Sequence, residues 1–465
     1  MTAAVPIHFM RPAPKTRLAR LGDAMRRHRR VILGIQWFIV LFYAALVIVP
    51  ALLPLPPSGA SIVSDLTLFA QFAFWGVWWP GVILSMVLVG RVWCGVLCPE
   101  GAVTEFASRH GLGLSIPRWL RWSGWPVLAF VCTTVYGQLV SVYQYAAPAL
   151  LILGGSTLLA GAVGLVYGRE KRVWCRFLCP VSGVFALLAK VAPLHYKVDE
   201  QAWRAYPGPP PRVDCAPLID LRNMKGASQC HSCGRCSGHR GAIEFAARSP
   251  NEEILGESPR RVSNASAVLL IFGTMGVAVG AFQWSVSPWF TGLRQAAATW
   301  LIEHDSYTLL QDNAPWWLLT HYPQVNDAFT WLDGLGICLY IGAYTLLAGG
   351  LGWAALRLAA RLAGGSRFDW KSLAMGLVPI AGAGLFLGLS MTTLTLLRAE
   401  GWLPPGVSSA RALLLGGAAA WSAWLGLRIV ASSDAGLPRQ LVATLLYALP
   451  LALAVTSWVM IFWVW

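Results

Sequence analysis

The sequence RVWCGVLCP at residues 91–99 recurs as RVWCRFLCP at residues 172–180. The two copies differ at only two positions, which are Gly95 against Arg176 and Val96 against Phe177. Each copy follows a pair of long apolar segments, so an apolar hairpin and the motif behind it form one repeated unit. The repeat predicts helical hairpins that end in cysteine-bearing turns.

The spacing within the motif has a physical interpretation. Two cysteines four residues apart can face the same side of a helical turn, and the proline after the second one suits the first position of a new helix. A nearby arginine and a helix N-terminus favour thiolate, which is the form that binds metal. Buried structural cysteines are the alternative. The repeat therefore gives four candidate metal ligands: Cys94, Cys98, Cys175 and Cys179.

The composition indicates a membrane protein. Hydrophobic residues make up 56% of the 465 residues, charged residues only 12%, and the mean hydropathy is +0.56. A membrane span needs about 20 apolar residues. Nine segments qualify: 31–53, 66–90, 125–147, 149–168, 265–285, 334–356, 373–396, 409–430 and 441–463. We expect an all-α polytopic membrane protein with about nine transmembrane helices.

The basic residues predict the orientation. The net charge of +15 would suit a nucleic-acid binder, but 33 of the 36 Lys and Arg residues lie in 1–30, 91–124, 169–262, 357–372 and 428–440, between the apolar stretches. This distribution is typical of membrane topology, and we expect no nucleic-acid partner. It places the N-terminus and the cysteine groups in the cytoplasm and Trp465 outside.

The chain then divides into four predicted parts. Residues 1–30 form a basic cytoplasmic N-terminus, and 31–190 contain the duplicated hairpins. Residues 191–262 form a small cytoplasmic region that is rich in charge and contains Pro207, Pro209, Pro210 and Pro211. Residues 263–465 form a C-terminal transmembrane region, in which 286–333 should contain one or two interfacial helices outside the membrane.

A third group of cysteines lies in the cytoplasmic region, at Cys215, Cys230, Cys233 and Cys236. Disulfides are unlikely in the cytoplasm, and three cysteines at two-residue intervals begin a ferredoxin run that holds a 4Fe-4S cluster. The fourth cysteine of that run is absent after Cys236, so Cys215, or else His231 or His239, must supply the last ligand. Zinc is the competing interpretation, although structural zinc usually takes two separated cysteine pairs. The metal should organise this ferredoxin-like insert.

The paired Cys-x-x-x-Cys-Pro motifs, followed by the ferredoxin-type cysteines, resemble the bacterial membrane-bound polyferredoxins of nitrate reductase, nitrous-oxide reductase maturation and oxidase-assembly systems. The resemblance covers roughly residues 31–245. It implies a protein of the bacterial inner membrane that transfers electrons between a donor, expected to be quinol, and an unidentified redox partner. It also implies one shared redox site on Cys94, Cys98, Cys175 and Cys179, which exchanges electrons with the cluster on Cys215, Cys230, Cys233 and Cys236. Such a protein would be a quinol-dehydrogenase-like component of an oxidoreductase system.

The chain departs from the family in having one incomplete ferredoxin run, so we expect a single cluster there, with a second iron–sulfur or copper site at the paired motifs. Soft thiolates suit Cu(I), which leaves copper binding or cupric reduction for metalloenzyme maturation as an alternative function. A transporter with a regulatory metal domain is a further alternative. It is disfavoured because polar residues in the spans are few: Gln36, Gln71, Gln138 and Gln283.

Overall fold

The computed structural model of the chain describes residues 15–209, 212, 214–256, 262–364 and 369–465. Two parts of the sequence predictions lie outside these residues. They are residues 1–14 of the basic N-terminus and two prolines of the proline-rich stretch, Pro210 and Pro211.

The described residues form a mainly helical protein with two short strand pairs. The main elements, in chain order, are α1 (Arg17–Arg27), α2 (Arg29–Leu52), α3 (Leu66–Val89), α4 (Pro99–Arg109), α5 (Trp125–Leu139), α6 (Ala146–Tyr167), α7 (Val173–Phe177), α8 (Ser182–Val191), β1 (Leu194–Val198), α9 (Glu200–Arg204), β2 (Ile243–Ala247), α10 (Glu252–Gly256), α11 (Asn264–Gln283), α12 (Pro288–Glu303), β3 (His321–Tyr322), β4 (Asp327–Ala328), α13 (Trp331–Ala363), α14 (Trp370–Met375), α15 (Val378–Ala399), α16 (Val407–Ala431) and α17 (Leu437–Val464).

Eight helices among the described residues are long and apolar enough to cross a membrane, namely α2, α3, α6, α11, α13, α15, α16 and α17. The multi-pass membrane architecture is therefore confirmed. The segment predicted as a span over 125–147 forms α5, which has only 15 residues and is followed by a turn at 140–145. At 1.5 Å per residue α5 is about 22 Å long, against a hydrocarbon thickness of about 30 Å.

Loop contacts define the two ends of the helical bundle. At one end, the turn at 140–145 contacts the segment 286–333, where the hydroxyls of Ser141 and Thr320 lie 2.7 Å apart. The Trp289 ring packs against Trp465 at that end, with centroids 5.1 Å apart. The repeated cysteine motifs and residues 194–256 lie at the other, which we call the cysteine end.

The insert at the cysteine end is built on an antiparallel pair of strands. β1 pairs with β2 from Leu194 opposite Ala247 to Val198 opposite Ile243, so the all-α expectation omitted this sheet. Helix α1 packs on β2, and Gly22 is required at the contact because a Cβ there would lie 2.9 Å from the Cβ of Phe245. The N-terminal segment predicted as a separate part is thus docked on the insert.

The C-terminal helices form a closely packed scaffold. Small residues permit the approach: a Cβ added to Gly426 would lie 2.0 Å from the Tyr447 ring, and one added to Gly384 would lie 2.4 Å from Trp458. In the segment 286–333, one 16-residue helix, α12, is followed by the β3–β4 hairpin. Cys132 and Cys338, the two cysteines outside the three cysteine groups, are both exposed on the helix surface.

Candidate metal centres

The two cysteine motifs lie side by side and hold each other in place. Arg172 of the second copy donates from Nη1 to the carbonyl of Cys94 in the first copy, at 2.5 Å. Arg91 of the first copy donates from Nη2 to the Ser182 hydroxyl at 2.9 Å, and this hydroxyl donates to the carbonyl of Cys175 at 2.8 Å. Each arginine therefore supports the cysteine turn of the other copy.

The two copies have different local backbones. Trp93–Leu97 forms one wide helical turn of the π type, after which Cys98 caps α4 by accepting from the amide of Gly101 at 3.4 Å. Pro99 is the first residue of α4, as predicted from the motif. In the second copy α8 begins only at Ser182, so the same prediction was wrong for Pro180. Pro180 lies instead in a turn between α7 and α8.

The four thiols of the paired motifs form one electrostatic group. Cys98 interacts with Cys94 and Cys175, and Cys179 interacts with Cys98 and Cys175. Cys94, Cys175 and Cys179 are buried, and Cys98 is partly buried. The structure thus brings all four predicted ligands together, which we call the paired site.

Burial raises the pKa of Cys98, Cys175 and Cys179 in the metal-free chain. It raises the pKa of Cys175 to about 12, and the opposing charge of Arg172 is too weak to reverse this. Arg172 and Arg91 lower the pKa of Cys175, which is the direction expected from the sequence, but desolvation outweighs their charge. A thiol that coordinates a metal is deprotonated by it, so the proton would leave when the metal binds.

The other four cysteines form a second group, which we call the run site. Cys236 interacts electrostatically with Cys230, Cys233 and Cys215. The chain folds back on itself between them, with left-handed conformations at Ser232 (φ 48°) and Gly234 (φ 79°). The amide of Ser232 donates to the Cys230 sulfur at 3.3 Å.

The surroundings of the two candidate histidines favour Cys215 as the fourth ligand of the run site. His231 faces the paired site, where burial and then Arg91, Arg172 and Arg176 lower its pKa well below the usual range. His239 packs on the ring of Trp203, with centroids 5.4 Å apart. Cys215 instead interacts with both Cys230 and Cys236.

A buried ionic network connects the two sites. One oxygen of Glu105 accepts from Arg172 Nε at 2.9 Å and forms an ion pair with Nη2 at 2.8 Å, and the other accepts from Arg235. Arg172 is 1% exposed and interacts electrostatically with Cys98 and Cys175 of the paired site and with Cys233 of the run site. One guanidinium therefore serves both groups of thiols.

The backbones also meet directly. A Cβ added to Gly95 would lie 2.1 Å from the carbonyl oxygen of His231 and 2.8 Å from the amide nitrogen of Cys233. The second copy reaches the insert by hydrogen bonds, from Lys171 Nζ to the carbonyl of Cys215 at 3.1 Å and from the Arg172 amide to the carbonyl of Ala216 at 2.8 Å. The insert is thus seated on both copies of the repeat.

A cavity of about 240 Å³ opens from the paired site into the bundle. It is lined mainly by aromatic and aliphatic side chains, with all four paired cysteines at one end and Gln138 and Tyr143 toward the other. The aromatic wall includes Trp78, whose ring lies 5.1 Å from that of Trp93, the residue before Cys94. We call this the aromatic cavity.

Sequence reasoning missed several polar residues of the site. Glu100 accepts from the Ser156 hydroxyl at 2.6 Å and from the Trp174 indole at 2.9 Å, and Gln36 donates to the carbonyl of Gly95 at 2.9 Å. The available signal was a carboxylate directly after the first Cys-Pro, where the second copy has Val181. The central role of Glu105 had no local signal.

The donor sets fit iron–sulfur clusters. Eight thiols in two groups of four match the cysteine ligation of two four-iron clusters. Within the described residues, no three His, Cys, Asp or Glu side chains converge closely enough to hold a single metal ion. In a four-iron cluster each thiolate binds a different iron, so its ligands stand farther apart than those of one ion.

Comparison with known proteins agrees with this chemistry. The family described as "4Fe-4S binding domain" matches the chain twice, at residues 71–122 and 151–198, and each match contains one of the repeated cysteine motifs. No curated protein and no solved structure matches. Iron–sulfur binding and electron transport are therefore the chemistry of this membrane protein.

Proposed function

We propose that the chain carries two 4Fe-4S clusters and transfers electrons between them. Cys94, Cys98, Cys175 and Cys179 would hold one cluster, and Cys215, Cys230, Cys233 and Cys236 the other. When bound, such clusters supply one-electron transfer. One observation supports this proposal best. The two groups of four thiols are connected by the close backbone packing at Gly95 and by the Arg172 guanidinium, which interacts with cysteines of both groups.

The residues of the chain would position and insulate the two clusters. Arg172, Arg91 and Ser182 fix the cysteine turns, while Glu105 balances the buried arginine charge. Burial and hydrogen bonding of this kind tune a cluster potential.

Quinol is the proposed membrane donor, and the aromatic cavity is its proposed site. The cavity is apolar, lies between membrane helices and ends at the paired cysteines. Such a cavity suits an apolar ring and chain that must approach the paired site from the bilayer. The insert, which lies outside the helical bundle, would face the redox partner.

The proposed topology has nine crossings, with the cysteine end in the cytoplasm of a bacterial inner membrane. Although α5 is short, it runs along α11: Phe130 lies beside Gly273, and Gln138 accepts from the Trp284 indole at 2.9 Å. The distribution of Lys and Arg supports the orientation. Reporter fusions should read cytoplasmic after residue 245 and extracytoplasmic at Trp465, and a cytoplasmic reading at Trp465 would contradict nine crossings.

The decisive experiment is anaerobic purification of the full chain, followed by iron and sulfide analysis and EPR after reduction. We expect about eight irons and eight sulfides per chain, and reduction of the clusters by a quinol. Four irons would leave one site without a cluster, and zinc or copper in place of iron would contradict the proposal.

The transporter alternative has no support in the bundle. All four glutamines of the spans make structural hydrogen bonds: Gln36 to Gly95, Gln71 to Tyr143, Gln138 to Trp284 and Gln283 to Ser457.

A further inference from the structure

A second cavity, of about 160 Å³, lies at the cysteine end between the start of α2, the end of α1 and the insert. It differs from the aromatic cavity in its chemistry, because four arginines line it together with a single carboxylate. Its charged lining residues are Arg26, Arg29, Arg109, Arg235 and Asp214. We call this the arginine cavity.

The charges in and around this cavity are unbalanced. Asp214 is shared by Arg29 at 3.0 Å and Arg235 at 3.6 Å. The nearest further carboxylate, Glu105, is bound by Arg235 and by the buried Arg172, and it lies 3.8 Å from Arg109. Arg26 has no ion pair among the described residues, although it lies within electrostatic range of Asp23. Five guanidiniums thus face three carboxylates, of which Asp23 also pairs with Lys15.

The excess charge is not all placed to compensate the cysteines. Arg172 and Arg235 are buried beside the thiols, where they can offset the charge of a thiolate-ligated cluster. Arg26 and Arg29 are exposed and lie around the start of α2. Arg29 shares the partly exposed Asp214 with Arg235, so both exposed arginines have binding capacity left for an anion from outside.

Apolar residues of a membrane helix also line the cavity, next to Arg29 on the same helix. Ile32 and Leu33 line it from the first turns of α2, which continues for 24 residues through the bundle. The cavity therefore lies where a membrane helix enters the bilayer, at the level of the lipid headgroups. Basic side chains at this level attract anionic lipids.

We propose that the arginine cavity binds the phosphate headgroup of an anionic phospholipid, held by Arg26, Arg29 and Arg109 with its acyl chains along Ile32 and Leu33. Because Cys233 and Gly95 also line the cavity, the bound headgroup would lie against both the run site and the first cysteine turn. The proposal goes beyond electron transfer and does not require a cluster to be present.

The test titrates the delipidated full-length protein in detergent with phosphatidylglycerol, with phosphatidylcholine of the same acyl chains, and with inorganic phosphate, and counts bound lipid by native mass spectrometry. We expect phosphatidylglycerol to bind at least tenfold more tightly than phosphatidylcholine. The double variant Arg26→Gln/Arg29→Gln should lose roughly tenfold or more of this affinity, since each basic residue near the headgroups contributes about 1 kcal/mol.

Two further variants make the result specific. Arg118→Gln/Arg121→Gln removes the same charge from exposed positions at the cysteine end but outside the cavity, and it should bind lipid like the wild type. Asp214→Asn removes the carboxylate that lines the cavity and should strengthen binding. Thermal unfolding in detergent, measured on every variant, reports whether the fold is intact and does not depend on a cluster.

Equal losses in the Arg26/Arg29 and Arg118/Arg121 variants would overturn the proposal, because they would indicate a diffuse surface charge. Saturable binding of inorganic phosphate with no preference for phosphatidylglycerol would overturn the lipid assignment. A loss of lipid binding in the Arg26/Arg29 variant alone, with unchanged thermal unfolding, would support it. Absence of iron from the wild type would contradict the proposed function alone and leave the lipid test intact.

Discussion

The two copies of the cysteine motif have seven of nine residues in common, yet they make different contacts. The shared arginines act in the same crosswise manner, with Arg91 reaching Ser182 and Arg172 reaching the Cys94 carbonyl. The copies differ in how they meet the insert. The first combines close backbone packing at Gly95 with a hydrogen bond from Arg91 to the Ser228 carbonyl, and the second uses hydrogen bonds from Lys171 and Arg172 without such packing.

This difference shows how a duplicated unit becomes an asymmetric one. The identical residues build a site that both copies share, and Gly95, at one of the two positions that differ, lets only the first copy approach the insert closely. Position 95 must be glycine because a side chain would collide with the backbone of the run site at His231 and Cys233. Its counterpart Arg176 is exposed and has room for a long side chain.

The largest effect that follows concerns the shared site. If its four thiols act as one unit, each single Cys→Ser substitution should remove the same EPR signal and about the same iron as the quadruple variant. The four single variants are Cys94→Ser, Cys98→Ser, Cys175→Ser and Cys179→Ser. Iron analysis with EPR makes this measurement, and Cys338→Ser is the matched control on an exposed helix face. Graded losses, with each pair removable separately, would show two independent sites.

The second prediction compares the two arginines. Arg172→Gln leaves Glu105 with a buried charge that is only partly compensated, which should cost about 3–5 kcal/mol. Arg91→Gln removes hydrogen bonds to Ser182 and the Ser228 carbonyl but no ion pair, so about 1–3 kcal/mol is expected. Thermal bleaching of the iron–sulfur absorbance measures both variants. Equal losses of stability in the two variants would show that the ion pairs of Glu105 add no stability beyond the hydrogen bonds between the two copies.

The sequence was sufficient for features that repeat or have a period. The duplicated motif predicted the grouping of the paired cysteines, and the apolar segments predicted the helices, with α2 at Arg29–Leu52 close to the predicted 31–53. The sequence could not predict that α5 ends at Leu139, because the turn that ends it is stabilised by contacts with residues near Thr320. Glu105 could not be identified either, since its partners Arg172 and Arg235 are 67 and 130 residues away.

The third prediction tests the asymmetric position. Gly95→Ala should push the run site away from the first copy and lower the free energy of unfolding by about 1–3 kcal/mol. The reason is that neither the His231 carbonyl oxygen nor the Cys233 amide nitrogen can move without backbone movement. Arg176→Ala, at the equivalent position, should cost less than about 0.5 kcal/mol, as surface substitutions usually do. Protection of residues 215–236 from hydrogen exchange is the measurement. Normal protection in Gly95→Ala would show that the insert is held by the second copy alone.

The smallest effect is a dependence on pH that only the second copy should show, because only its arginine has a carboxylate partner. Burial alone would raise the pKa of Glu105, but Arg172 and Arg235 lower it below its usual value. A carboxyl group whose pKa is lower in the folded state than in the unfolded state stabilises the fold at pH values above its unfolded-state pKa of about 4.3. This stabilisation is lost as the pH falls from there through the folded-state pKa. The stability difference between wild type and Glu105→Gln should therefore be constant from pH 7 to about 5 and narrow below about 4.

Hydrogen exchange at the insert measures this stability difference, and comparing variants cancels the acid lability that all of them share. Glu200→Gln is the control, since its half-exposed carboxylate pairs with the exposed Arg204 and Lys225 and should give the wild-type profile. A difference that stays constant to pH 3 would show that Glu105 is not held as a charged partner of Arg172, and the two arginines would then differ only in their hydrogen bonds.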